Sequence, residues 1–251
     1  MKAIYFLMIV CSTAITWANP LLEKANELYR KEKYAAAIET YEKVLENKQH
    51  SVALYYNLAN AHYKLHHIAP SIYYYEKALL LNPTDEEVLN NLEFAQAMTI
   101  DDIKPVPEVG VLAWMKSFTN LLHYNTWAYL SVFLSVLIAV FFMGYYFSSQ
   151  TGYKRFSFIS MMSVSFILLV VLLIGYFAKS VDESENSAIV FANTAPVKNE
   201  PNFNAEDTFV LHEGAKVNIK ENQGAWCKIA LSNGSEGWIL IQSIKAVKSI
   251  F

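Results

Sequence analysis

The stretch 71-SIYYYEKALLLNP-83 sets three tyrosines in a row before an apolar run and a proline. Its reading depends on 37-AIETYEKVLENK-48, which lies 34 residues upstream. Ala37-Ile38 stands opposite Ser71-Ile72, Tyr41-Glu42-Lys43 opposite Tyr75-Glu76-Lys77, and Leu45 opposite Leu79. Farther out, Ala25 matches Ala59, Tyr29 matches Tyr63 and Arg30 matches Lys64, again 34 apart. One spacing held over so many positions marks an internal repeat. The small residues Ala25, Ala37, Ala59, Ala61, Ser71 and Ala78 let helix axes approach, and Tyr29, Tyr34, Leu45, Leu58, Tyr63, Ile68 and Leu79 fill the seams. Pro83 stops a helix, since it lacks a backbone donor and clashes with the preceding turn. A third unit opens at 84-TDEEVLNNLEFAQAM-98, with Thr84 or Asp85 as its cap and Asn91-Leu92 repeating Asn57-Leu58.

A 34-residue period of paired helices resembles the tetratricopeptide (TPR) family, and residues 20–98 read as two repeats plus a capping helix. The resemblance implies an all-α array whose groove is lined by the first helix of each pair. Asn26, Arg30, Tyr56, Asn60 and Lys64 face that groove, and Asn26 and Asn57 match the asparagines of carboxylate-clamp members. An asparagine can hold a peptide backbone by donor and acceptor together, and Arg30 and Lys64 favour an acidic segment. Leu22, Glu87 and Asn91 stand where the clamp members carry basic residues, which argues against a strict reader of C-terminal carboxylates. In the tyrosine triplet, Tyr75 repeats Tyr41 and belongs to the core. Tyr73 and Tyr74 fall opposite Glu39 and Thr40, so they are expected to be more exposed and to offer a contact surface.

The rest of the 251-residue chain is a mosaic. A formal charge of −3 supplies no basic excess for nucleic acid. Residues 1–18 carry one lysine, an apolar core and small residues at Thr16 and Ala18, the pattern of a secretory signal. Its removal would leave Cys227 as the one thiol, without a disulfide or redox partner in the chain. A linker and interfacial helix is expected over 99–124, with two prolines in 101-DDIKPVPEVG-110 and then Leu112, Trp114, Met115, Phe118 and Leu122 near one helical face, set against membrane lipid.

From Trp127 to Phe147 and from Phe156 to Ala178 there is no Asp, Glu, Lys, Arg or His. Each run would make about 30 Å of helix, the thickness of a hydrocarbon core. Two transmembrane helices are expected, 125–147 and 156–178, joined by a hairpin over 148–155 that carries Lys154 and Arg155. That bias and the signal put the hairpin in the cytoplasm and both soluble parts on the periplasmic side of the inner membrane. Spans without charge disfavour a transporter; Ser157, Ser160, Ser163 and Ser165 suit helix packing.

After a linker over 179–187, residues 188–251 carry strand signals. Apolar residues alternate in 215-AKVNIK-220 and 225-AWCKIAL-231, with a turn over 221-ENQG-224. Asn233-Gly234 marks a two-residue hairpin, and 242-QSI-244 suits one helical turn. Leu211-His212-Glu213-Gly214, Trp226, Asn233-Gly234 and Gly237-Trp238-Ile239 together resemble the bacterial SH3-like (SH3b) domain, which implies an all-β barrel. Trp226 and Trp238 are read first as core and second as a contact surface.

No catalytic or cofactor motif occurs, and His62 and His66, spaced i, i+4, lack the further ligands of a metal site. No enzyme, cofactor or metal is expected. The order of signal, TPR pair, two spans and SH3-like barrel resembles the BatE family, the TPR- and SH3-domain membrane proteins of the Bat (aerotolerance) operon of bacteroidete-type bacteria. That resemblance implies a scaffold in a membrane complex with Bat proteins bearing von Willebrand factor A domains, and a link to oxidative stress tolerance. The alternatives are a cell-wall receptor that binds peptidoglycan through the SH3-like domain and, more distantly, a transport subunit.

Overall fold

Pro20 opens the first helix, where its missing N–H is not needed. In the computed structural model, which describes residues 20–104, 106, 124–184 and 186–248, five helices follow one another: α1 (Pro20–Arg30), α2 (Tyr34–Glu46), α3 (Val52–Lys64), α4 (Ile68–Leu81) and α5 (Glu86–Gln96). The expected signal segment and most of the expected interfacial helix lie outside the described residues. Helices α1 and α3 end alike. Lys33 N–H donates to the Leu28 carbonyl and Glu32 N–H to that of Tyr29; one period later, His67 N–H donates to His62 and His66 N–H to Tyr63. These are paired Schellman closures, and they hold Glu32 and His66 in the left-handed region at φ 59° and 57°. Ser51 caps α3 by accepting from Leu54 N–H at 3.1 Å, and Asp85 caps α5 by accepting from Val88 N–H at 3.2 Å.

At about 100° per residue, the three consecutive tyrosines of α4 leave in three directions. Tyr75 turns inward to Asn60. Tyr74 is half-buried, stacked on His62 with ring centroids 5.6 Å apart and on Tyr55 at 6.2 Å, and it bridges the cores of the two repeats. Tyr73 is 1% exposed. The expected exposure of Tyr73 does not hold, because another part of the chain covers it.

Helices α6 (Tyr124–Phe147) and α7 (Thr151–Ser184) are long and apolar enough to cross a membrane. They pack antiparallel. A Cβ on Gly175 would lie 3.3 Å from that of Trp127, and one on Gly144 would lie 3.3 Å from the Ser157 hydroxyl, so small residues bring the helices together at both ends. Ser157 is buried in this seam. The loop is shorter than expected: Ser148–Gln150 connect the helices, and Lys154 and Arg155 lie in the opening turns of α7. Nor is 179–187 a loose linker, since α7 continues to Ser184.

Seven strands then form one antiparallel sheet: β1 (Ser187–Val190), β2 (Thr194–Lys198), β3 (Asp207–His212), β4 (Lys216–Gln223), β5 (Trp226–Ala230), β6 (Glu236–Leu240) and β7 (Ile244–Ala246), with a single 3₁₀ turn over Ile241–Ser243. The spatial order is β3-β2-β6-β5-β4-β1-β7. The ladder is not closed, but Leu211 and Phe209 of one edge strand meet the same core as Ile244 of the other, so the sheet curls around one interior. Gly237 is required where β6 passes β2: a Cβ there would lie 2.5 Å from Val197 Cγ1 and 3.0 Å from the Lys198 carbonyl oxygen.

Two turns differ from expectation. A register shift between Ile219 and Glu221 lets β4 run on to Gln223, which pairs with Trp226. The tight turn is therefore Gly224-Ala225, with Gly224 at φ 59°, and not 221–224. At 231–235, Gly234 N–H donates to the Leu231 carbonyl and Leu231 N–H to that of Ser235. Gly234 alone takes positive φ, 85°. This is a type I turn followed by a left-handed glycine, one step longer than a two-residue hairpin.

The helical array and the sheet share a core. On β1, Ala188 and Val190 face the sheet interior, whereas Ile189 between them points the other way and joins Tyr73, Ile72 and Ala69 of α4, with Val247 beside it. Phe191 meets Tyr73 edge to face at 5.6 Å. Lys216 Nζ lies 2.7 and 2.8 Å from the carboxylate oxygens of Glu76, whose side chain is only 9% exposed. The segment leaving α5 fastens the same joint. Asp101 accepts from His212 N–H at 2.7 Å and pairs with its Nδ1 at 2.8 Å, Ile103 packs against the sheet core, and Val106 N–H donates to Ser232.

Candidate functional site: the helical groove and the outer face of the sheet

The groove is built from the first helix of each pair. Tyr29, Tyr56, Asn60, Tyr63, Lys64, Tyr75, Asn91 and Phe94 line a cleft of about 240 Å³. Its floor is a repeated hydrogen-bond module. Tyr41 Oη and Asn57 Nδ2 both donate to Asn26 Oδ1, at 2.8 and 3.0 Å. One period on, Tyr75 Oη and Asn91 Nδ2 both donate to Asn60 Oδ1. Each module ties the two helices of one repeat to the first helix of the next unit. Partly buried amides need such partners, so the side-chain carbonyls of Asn26 and Asn60 serve the array before any peptide.

Asn91 also donates to Tyr56 Oη at 2.6 Å, and that hydroxyl donates to Glu87 Oε1 at 2.6 Å. Burial and the Glu87 carboxylate push the Tyr56 phenol up to about 12, so it stays a donor at any physiological pH. Arg30 and Lys64 are exposed. The structure thus brings Tyr56, Asn60 and Lys64 of the expected residues into one cleft, with Asn26 and Asn57 in the module beside it. Tyr29 and Tyr63, read from the sequence as seam fillers, also line the cleft, and Phe94, 62% exposed, joins it without having been singled out. The 34-residue match of Tyr29 and Tyr63 was the available signal.

Of the second set of contact residues, Tyr73 faces the sheet and Tyr74 the seam between repeats. Trp226 is buried, and exposed Phe203 meets it edge to face at 5.1 Å. Trp238 is half-buried, in register with Lys228 and Lys198. Phe203 comes from the loop between β2 and β3 and carried no sequence signal. Among the described residues, no group of three or more His, Cys, Asp or Glu side chains could hold a metal ion. His62 does not pair with His66. It is buried and meets His67 ring nitrogen to ring nitrogen at 3.2 Å, and burial, reinforced by His67 and Lys245, lowers it to about 4. Cys227 is fully buried, and burial raises its thiol.

The family comparisons agree with this anatomy. Residues 25–65 match a TPR repeat model, residues 52–85 match a tetratricopeptide repeat model, and residues 193–244 match the bacterial SH3 domain. No curated protein matches the chain. The class is therefore a TPR array and a bacterial SH3 domain on one chain, separated by two helices able to span a membrane.

Proposed function

We propose that the protein is a non-enzymatic scaffold of the cell envelope whose TPR groove captures a segment of a partner protein. The observation that carries this reading is the division of surfaces. The SH3 sheet docks on α4, the second helix of its pair, while the cleft opens on α1, α3 and α5. Docking therefore leaves the groove free for a partner. Exposed Lys64 in a tyrosine-rich cleft, with exposed Arg30 next to Tyr29 in the chain, suits an acidic segment with an apolar or aromatic anchor.

In this reading α6 and α7 form a membrane hairpin, and both modules sit outside the cytoplasmic membrane. Contact between α4 and β1 supports a shared side, and Lys154 and Arg155 support a cytoplasmic turn. The architecture resembles the BatE family, so the partners would be Bat proteins with von Willebrand factor A domains, in a complex serving aerotolerance. The test is capture from native membranes by full-length protein. Because Asn60 belongs to the scaffold, the informative variant combines Arg30→Ala, Lys64→Ala and Phe94→Ser. Partner recovery should fall at least about tenfold while folding is retained. Unchanged recovery removes the groove from the mechanism.

A second reading, binding of peptidoglycan through the SH3 domain, is favoured by exposed Phe203 standing on Trp226, an aromatic ledge of the kind that stacks on sugar faces. Sedimentation of the full chain with purified wall material, lost on Phe203→Ser, would support it. Equal sedimentation of both forms would end it.

A further inference from the structure

A second cavity lies at the joint between the modules. It holds about 150 Å³, room for several waters or one small polyatomic ion. The helical array supplies Lys48, His50, Tyr55, Tyr73 and Lys77 to its wall, and β7 supplies Lys245. None of its lining residues is acidic. Lys77 is 2% exposed, and its ammonium lies 5.7 Å from the Tyr55 ring centroid and 5.5 Å from that of Tyr73. The Lys245 ammonium stands over the same Tyr73 ring at 4.5 Å. The Tyr73 hydroxyl is buried without a hydrogen-bond partner. Two ammonium groups and an imidazole are thus gathered on tyrosine faces in a partly desolvated recess, with a third ammonium at Lys48.

We infer that this recess binds a small oxyanion, a phosphate or a carboxylate, between Lys48, Lys77 and Lys245. Lys77 is buried, Lys48 and Lys245 are exposed at the rim, and an anion placed between like charges drawn together is favoured by all of them. Burial pulls the Lys77 ammonium down, with Lys245 adding to the effect. Burial also pulls Lys245 down, while Glu42 opposes that shift from outside the lining. A bound oxyanion would reverse both effects and give the Tyr73 hydroxyl an acceptor. Because the site draws on both modules, its occupant would also staple the sheet to the array.

The experiment is titration calorimetry on the full-length protein in detergent micelles, using inorganic phosphate and acetate as probes at an ionic strength held constant with chloride. At least one anion should bind saturably, with one site per chain, and should raise the unfolding temperature as mass action requires. Saturation by phosphate or by acetate identifies which oxyanion the site takes. Lys245→Gln, at an exposed strand position, should weaken binding about tenfold or more. Lys77→Met should do the same, and Lys154→Gln, on the helical hairpin, should change nothing. No saturable binding of either anion, or equal binding by the Lys245→Gln protein, overturns the proposal.

Discussion

Asn60 shows how a residue that looks made for a ligand can belong to the scaffold. Its side-chain carbonyl accepts from Tyr75 and from Asn91, and it thereby joins α3, α4 and α5. Asn60→Ala leaves the hydroxyl of buried Tyr75 and one N–H of half-buried Asn91 short of an acceptor and should lower stability by about 1–3 kcal/mol, read as a shift of the urea midpoint. Lys64→Ala, at an exposed position in the same cleft, should stay within about 0.5 kcal/mol. The 34-residue spacing of these asparagines was plain in the sequence. Their partners were not, because the fifteen-residue step from Asn26 to Tyr41 gains meaning only once two helices are laid side by side. His62 gives a pH signature. Its folded pKa of about 4 lies below the ordinary value of 6.5, so between these values the unfolded chain binds more protons. The folded state then has full stability above about pH 6.5 and loses up to about 3 kcal/mol as pH falls toward 4. Urea melts at pH 7.5 and pH 5 should show the drop, and His62→Leu should flatten it.

Elements differ in how far their sequence announces them. The helices of the array were legible because each carries its own period and ends at its own signal, Pro83 or a polar cap. The uncharged runs were legible for the same local reason, although the hairpin between them proved shorter. The sheet was legible in part. Strands β4 to β6 alternate, but the bulge in β4 moved its turn by a few residues, since a register shift is a property of a pair of strands. Strand β1 was not singled out, although 188-AIVFA-192 is an unbroken apolar run in a small sheet that would otherwise alternate. Such a run marks burial on both faces, and the second face is α4. Gly214 makes the joint's tolerance measurable. At φ 88°, a Cβ there would lie 2.8 Å from Thr99 Cγ2 and 2.9 Å from Ile68 Cγ2. Gly214→Ala adds left-handed strain to a clash with α4, so it should destabilise the joined modules by at least about 2 kcal/mol. Hydrogen exchange should localise the loosening to α4 and β1.

On the scale of the whole molecule, the chain leaves its helical array, runs through two apolar helices and returns to lay a strand on the array it left. The tyrosines expected to face outward do not: the chain's own sheet covers Tyr73, and Tyr74 lies in the seam between the repeats. Sequence reading placed the modules but not their contact, because Tyr73, Ile189 and Val247 are distant in the chain and each looks ordinary alone. The account rests on α4 and β1 meeting on one side of the membrane. Glu76→Cys with Lys216→Cys replaces the ion pair between α4 and β4, the strand beside β1, by two thiols, and a protease site inserted in the loop over 148–150 lets the halves be separated. After oxidation in native membranes and cleavage, the account predicts that the two fragments migrate together on a non-reducing gel and part on reduction. Fragments that separate without reductant, although both thiols react with a soluble label when the membrane is opened, would contradict it.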